Sequence, residues 1–162
     1  MTYLLSILIT GFGATVVMDF WGLARQRLFG VAAPDYCLVG RWFGHMTRGR
    51  FRHASIVASP PVRAECLIGW TAHYLTGIAY AAILIGVWGL AWVEHPEIIP
   101  PLIVSILTLA APFLLMQPGM GAGIAASRTP RPAMARMQSL ISHIVFGFGL
   151  YAGGWSVHVI YF

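Results

Sequence analysis

Lysine is absent from this chain of 162 residues, and acids number only five. Charged residues make up 9% of it, against about 25% in an ordinary soluble domain. With 58% hydrophobic residues and a mean hydropathy of +0.75, the solvent implied is lipid. The same scarcity removes several functions. Without lysine there is no phosphate-binding loop of the G-x-x-x-x-G-K type. Glycines at 119, 121 and 123 do not complete a dinucleotide fingerprint, because Ile124 stands where the third glycine belongs and no strand pattern precedes it. No G-x-S-x-G or H-E-x-x-H motif occurs, so familiar hydrolase chemistry has no positive support. The two cysteines, Cys37 and Cys66, show neither C-x-x-C nor zinc-ligand spacing. They are expected as unpaired thiols on a reducing side, where disulfides are rare.

What is present is apolar sequence in long runs. Crossing a hydrocarbon core takes roughly 20 apolar residues, and four segments qualify: about 3–24, 67–93, 98–117 and 137–160. The first lacks the basic flank of a cleaved signal and is expected to stay as a helix. In the third, Pro100 and Pro101 suit a first helical turn and Pro112 predicts a kink. The ten arginines lie in or beside the connections 25–66 and 118–136, and none lies in 94–97 or at either terminus. The positive-inside rule therefore places both connections in the cytoplasm and both termini on the outer, periplasmic side. The expected fold is all-α: a single four-helix transmembrane bundle over 1–162 with one long cytoplasmic loop. Between apolar runs, the net charge of +5 reports topology. The partners implied are the bilayer and its anionic headgroups, and not nucleic acid.

Ionisable groups inside spans are functional candidates by default. At about 1.5 Å per residue, Asp19, His73 and His143 each lie roughly 10 Å from the arginine-rich end of their spans, and Gln117 closes that end of the third. Gly69, His73, Gly77 and Ala81 form one small-residue stripe, and His143, Gly147, Tyr151 and Gly154 another. Such stripes face neighbouring helices and also offer faces for a second copy of the chain, as do Gly119 and Gly123. Three readings of the layer stand open. It is an interhelical hydrogen-bond layer, or a site in which Asp19, His73 and His143 bind a ligand or a transition-metal ion, or a proton relay or acid–base centre.

The stretch "VGRWFGHMTRGRFRH", residues 39–53, carries four arginines and two histidines, more than topology needs. Guanidinium forks suit phosphate and carboxylate, and the position suits headgroups. Arg41, His45, Arg48, Arg50, Arg52, His53 and Gln117 are the candidate ligand-binding residues. If the start is helical, Arg41 and His45 share a face. If "RGRFR" is extended, Arg48, Arg50 and Arg52 line one side. Asp35 and Glu65 are alternative partners for these arginines within the loop.

As a set, "GATVVMD" (13–19), "VGRWFGHMTRGRFRH" (39–53), "GWTAHYLTGIAYA" (69–81), "APFLLMQPGMGAGIAASRTPRP" (111–132) and "HIVFGFGLY" (143–151) resemble the bacterial membrane family known as domain of unknown function 2938. The resemblance covers nearly the whole chain. It implies a small multi-pass protein of the bacterial inner membrane and supplies no activity, cofactor or site residue. The residues themselves suggest a cytoplasm-facing pocket that binds or conducts a small polar or anionic solute or ion. A membrane-embedded metal-dependent or acid–base enzyme using Asp19, His73 and His143 is the alternative, and a structural subunit docking a membrane partner is a third.

Overall fold

A computed structural model describes residues 3–162. The described residues are mainly helical, with no strand among them. Helix α1 spans Tyr3–Phe29 and is apolar over most of its length, with Asp19 within it and Arg25, Gln26 and Arg27 near its end. It ends where Gly30, at φ 64°, donates its N–H to the Gln26 carbonyl at 3.1 Å, a left-handed cap that glycine adopts without strain. Helix α2, Tyr36–Met46, is capped by Asp35, whose carboxylate accepts the Cys37 N–H. Helix α3, Glu65–Glu94, is interrupted at Gly89, where φ is 72°. Helix α4, Ile99–Thr108, has Pro100 and Pro101 in its first turn, where their missing N–H groups cost nothing.

The expected disturbance at Pro112 is present as a widened π turn over Pro112–Met116. Proline cannot donate to the preceding turn, and the helix absorbs the lost bond by loosening. Helix α5, Gln117–Met120, follows and stops at Gly121, φ 98°. After a short 3₁₀ turn at Ile124–Ala126, helix α6 runs over Pro132–Tyr161. It begins earlier than the apolar pattern implies, because Pro132 opens it and Arg136 is inside it. Four helical stretches are long and apolar enough to cross a membrane: Tyr3–Phe29, Glu65–Glu94, Ile99–Met120 and Pro132–Tyr161.

The chain forms two compact units. Unit one comprises residues up to Ala33, Tyr74–Thr108 and Ile141–Phe162; unit two comprises Pro34–His73 and Leu109–Leu140. The core of unit one is a cluster of Ala14, Leu84, Ile85, Val93, Phe146 and Leu150 with their neighbours. Its helices meet through small residues. A methyl group on Gly77 would strike Thr15, one on Gly149 would stand 2.9 Å from the Ala14 Cα, and one on Gly153 would stand 2.8 Å from the Thr10 Cα. Contacts this close are how helices pack in lipid, where apolar burial gives no drive for association. Phe12, Phe20, Leu75, Val87, Leu107 and Val159 are exposed, an apolar surface suited to lipid and unsuited to water.

Gly153→Ala is expected to destabilise the protein by about 1–3 kcal/mol through overpacking. Gly86→Ala, with open space around the added methyl, is expected to be neutral or slightly stabilising. Thermal unfolding in detergent micelles checks both, and equal effects would contradict the backbone contact.

Candidate functional site

Unit two is built around α2, eleven residues that an arginine-rich loop does not advertise. Gly40 of α2 and Gly69 of α3 bring the two helices into backbone contact. A methyl on Gly40 would strike the Glu65 carbonyl, and one on Gly69 would strike the Tyr36 carbonyl. Once the helix starts are this close, Cys37 and Cys66 are joined in a disulfide across a sequence separation of 29. This corrects the expectation of unpaired thiols. Spacing alone hides the pairing, because it depends on α2 forming and on two glycines that let it approach.

Arg41 is engaged within the fold. Its Nε and Nη2 donate to the two Glu65 carboxylate oxygens at 2.9 and 2.8 Å, a bidentate fork. Nη1 reaches the carbonyls of Ile56, Val57 and Ser59 at 3.4, 3.3 and 3.2 Å. The bond to Glu65 holds the guanidinium pKa above its ordinary value, against the opposing effect of burial. Glu65 also accepts the Val62 N–H at 2.9 Å. Of the two acids weighed as partners for the arginines, Glu65 takes that role and Asp35 caps α2.

The histidines are likewise engaged. His45 is buried and donates from Nε2 to the Pro60 carbonyl at 2.9 Å. His53, also buried, donates from Nδ1 to the Gly119 carbonyl at 3.2 Å, and its own N–H reaches the same oxygen at 2.9 Å. Their rings meet edge to face at 5.0 Å. Trp42 donates to the Phe51 carbonyl at 3.0 Å and fills the space that Gly119 leaves open. The Gly119 face is therefore occupied from within the chain, and Gly123 lies against Ser127 and Arg128. Two sealed acceptors in unit two lack a donor, His53 Nε2 and Gln117 Oε1. Each suits water or another donor, not an anion.

Arg48, Arg50 and Arg52 are the outward charges of residues 39–53. All three are exposed, on a turn in which Gly49 takes φ 75° and the N–H groups of Arg48 and Arg50 both return to the His45 carbonyl. Phe51 beside them is exposed as well.

Of the intramembrane candidates, Asp19 and His143 belong to unit one and His73 to unit two. In unit one, Tyr74 donates its hydroxyl to Asp19 at 2.8 Å, and His143 donates from Nδ1 to the Ser105 carbonyl at 2.9 Å. In unit two, His73 stacks on Tyr36 with ring centroids 4.0 Å apart, and Trp70 meets it edge on at 5.8 Å. Among the described residues, no three His, Cys, Asp or Glu side chains gather as metal ligands would. Nothing in the sequence singles out Tyr74 or Tyr36, although Tyr74 directly follows His73 and Tyr36 directly precedes Cys37.

Arg41→Ala is expected to lower the thermal midpoint by roughly 5 °C and to open residues 54–63 to limited proteolysis, because it strands Glu65 and three carbonyls. Arg48→Ala should do neither. Identical cleavage patterns for the two variants would contradict this division.

No curated protein and no solved structure matches the chain. One family model does, over residues 8–157, a match that takes in α2, the glycine contacts of both units and most of every apolar helix. The chain belongs to the family described as Protein of unknown function (DUF2938).

Proposed function

We propose that this is an integral protein of the bacterial inner membrane whose unit two binds anionic groups, a lipid headgroup or a small anionic solute, through Arg48, Arg50 and Arg52. The observation that carries this reading is the division of the loop's basic residues. Arg41, His45 and His53 are bonded inside the fold, whereas Arg48, Arg50 and Arg52 are exposed beside an exposed Phe51. Arginines interleaved with an aromatic suit the headgroup level, where the ring enters the acyl boundary and the guanidinium meets phosphate. The confinement of all ten arginines to or beside two connections supports a cytoplasmic location for this surface, with both termini outside.

Asp19–Tyr74 and His143–Ser105 support the interhelical hydrogen-bond reading of the polar layer. A transition-metal site at Asp19, His73 and His143 is not part of this proposal.

The test compares the wild type with an Arg48→Gln, Arg50→Gln, Arg52→Gln variant in lipid nanodiscs, using phosphatidylglycerol and phosphatidylcholine as probes. Each arginine near an anionic surface contributes about 1 kcal/mol, so the variant should bind phosphatidylglycerol roughly a hundredfold more weakly. The difference should shrink as salt rises. Equal retention of the anionic lipid at low salt would refute the proposal.

A further inference from the structure

We infer that Cys37–Cys66 is a redox-active disulfide that exchanges electrons with a dithiol, and that it is not a structural staple. Three observations converge on it. Both sulfurs belong to the first turn of a helix, Cys37 in α2 and Cys66 in α3. The positive end of a helix favours a negative charge placed there, so each sulfur is suited to leave as a thiolate, the property that speeds exchange. Cys66 is exposed and Cys37 is half-buried, so Cys66 is the more open of the two to an incoming thiolate. The third observation is redundancy. The junction of α2 with α3 is already held by the Arg41–Glu65 fork, by the Gly40 and Gly69 backbone contacts and by the Tyr36–His73 stack. Opening the disulfide leaves these in place, so the two thiols stay close enough to close again. In the orientation that the arginines support, this side is reducing, where the disulfides that form are transient, catalytic or sensing.

The exchange balances without a further reagent. A thiolate of the dithiol attacks Cys66 Sγ, the disulfide bond breaks, and its electron pair leaves on Cys37 Sγ, which takes a proton from water. The donor's second thiol loses its proton and attacks the donor sulfur of the mixed disulfide, releasing Cys66 Sγ, which is protonated in turn. The dithiol becomes a disulfide, and the pair gains two electrons and two protons. Reversal with an oxidised dithiol restores it. Asp35 modulates the step, because its carboxylate lies at the same helix start and opposes negative charge on Cys37.

The experiment uses the full chain in detergent micelles, with dithiothreitol as the dithiol and no denaturant. Samples are quenched in acid and labelled with a maleimide–polyethylene glycol that adds mass to each thiol. Both cysteines should become labelled, become protected again on adding oxidised dithiothreitol, and leave the far-ultraviolet circular dichroism unchanged. Labelling that needs denaturant, or a loss of helix on reduction, would mark a structural disulfide and overturn the inference. Asp35→Asn keeps the cap and removes its charge, and should favour the reduced pair by about two- to fivefold. No shift, or the opposite one, would remove the helix-start argument. With glutathione disulfide as probe, the Cys37→Ser variant should form a mixed disulfide faster than Cys66→Ser, and the reverse order would overturn the assignment of the attacked sulfur.

Discussion

Close backbone approach at glycine is the constraint on which both units rest. Helices surrounded by lipid gain little from hiding apolar side chains, so their association depends on how near the backbones come. In unit one this happens where Gly77 meets Thr15 and where Gly149 and Gly153 meet α1. In unit two it happens at Gly40 and Gly69, and there it has a second consequence. It sets the first turns of α2 and α3 side by side, two positive helix ends that repel each other. An acid stands at each start, Asp35 as the cap of α2 and Glu65 in the first turn of α3. These carboxylates offset the repulsion, and Glu65 then becomes the anchor for Arg41.

The irregular stretch between α2 and α3 poses an accounting problem, since backbone groups removed from water need partners. The stretch has no sheet or helix of its own to supply them. One face of α2 does: Arg41 serves the carbonyls of Ile56, Val57 and Ser59, Trp42 serves Phe51, and His45 serves Pro60. The loop answers with the N–H groups of His53 and Ile56, which donate to Gly119 and Met120. Side chains that look like ligand-binding groups in the sequence thus form the framework of the segment. Four arginines within fifteen positions cannot reveal which of them faces inward, because the distinction arises only when α2 and the loop fold against each other.

The spans were legible because apolar runs of this length, in a chain with so little charge, match the thickness of a hydrocarbon core. The proline signals read correctly because their chemistry is local: Pro100 and Pro101 open α4, and Pro112 loosens the turn after it. The small-residue stripes were legible as well, with Gly77 and Gly147 each set against another helix. Helix α2 and the disulfide were not. A helix of three turns is marginal in isolation and depends on tertiary contacts, and the pairing of Cys37 with Cys66 depends on that helix. Tyr74, the partner of Asp19, gave no signal because its hydroxyl carries no charge and a tyrosine in an apolar run looks like any other aromatic.

These contacts redistribute where chemistry can reside. A half-buried polar group already bonded to its neighbour must break that bond before it can bind anything else, and losing it costs about as much as the new bond returns. His143 on the Ser105 carbonyl and Asp19 with the Tyr74 hydroxyl are bound in this way. Arg41, bonded through all three of its guanidinium nitrogens, is bound more firmly still. Among the groups the fold has not consumed are the outward arginines at 48, 50 and 52, on which the proposed anion binding rests, and the proposed redox site is the Cys37–Cys66 disulfide. Both belong to unit two, and the disulfide depends on the docking of α2 on the start of α3. The two glycines that allow that docking therefore matter as much to any activity as the residues that would carry it.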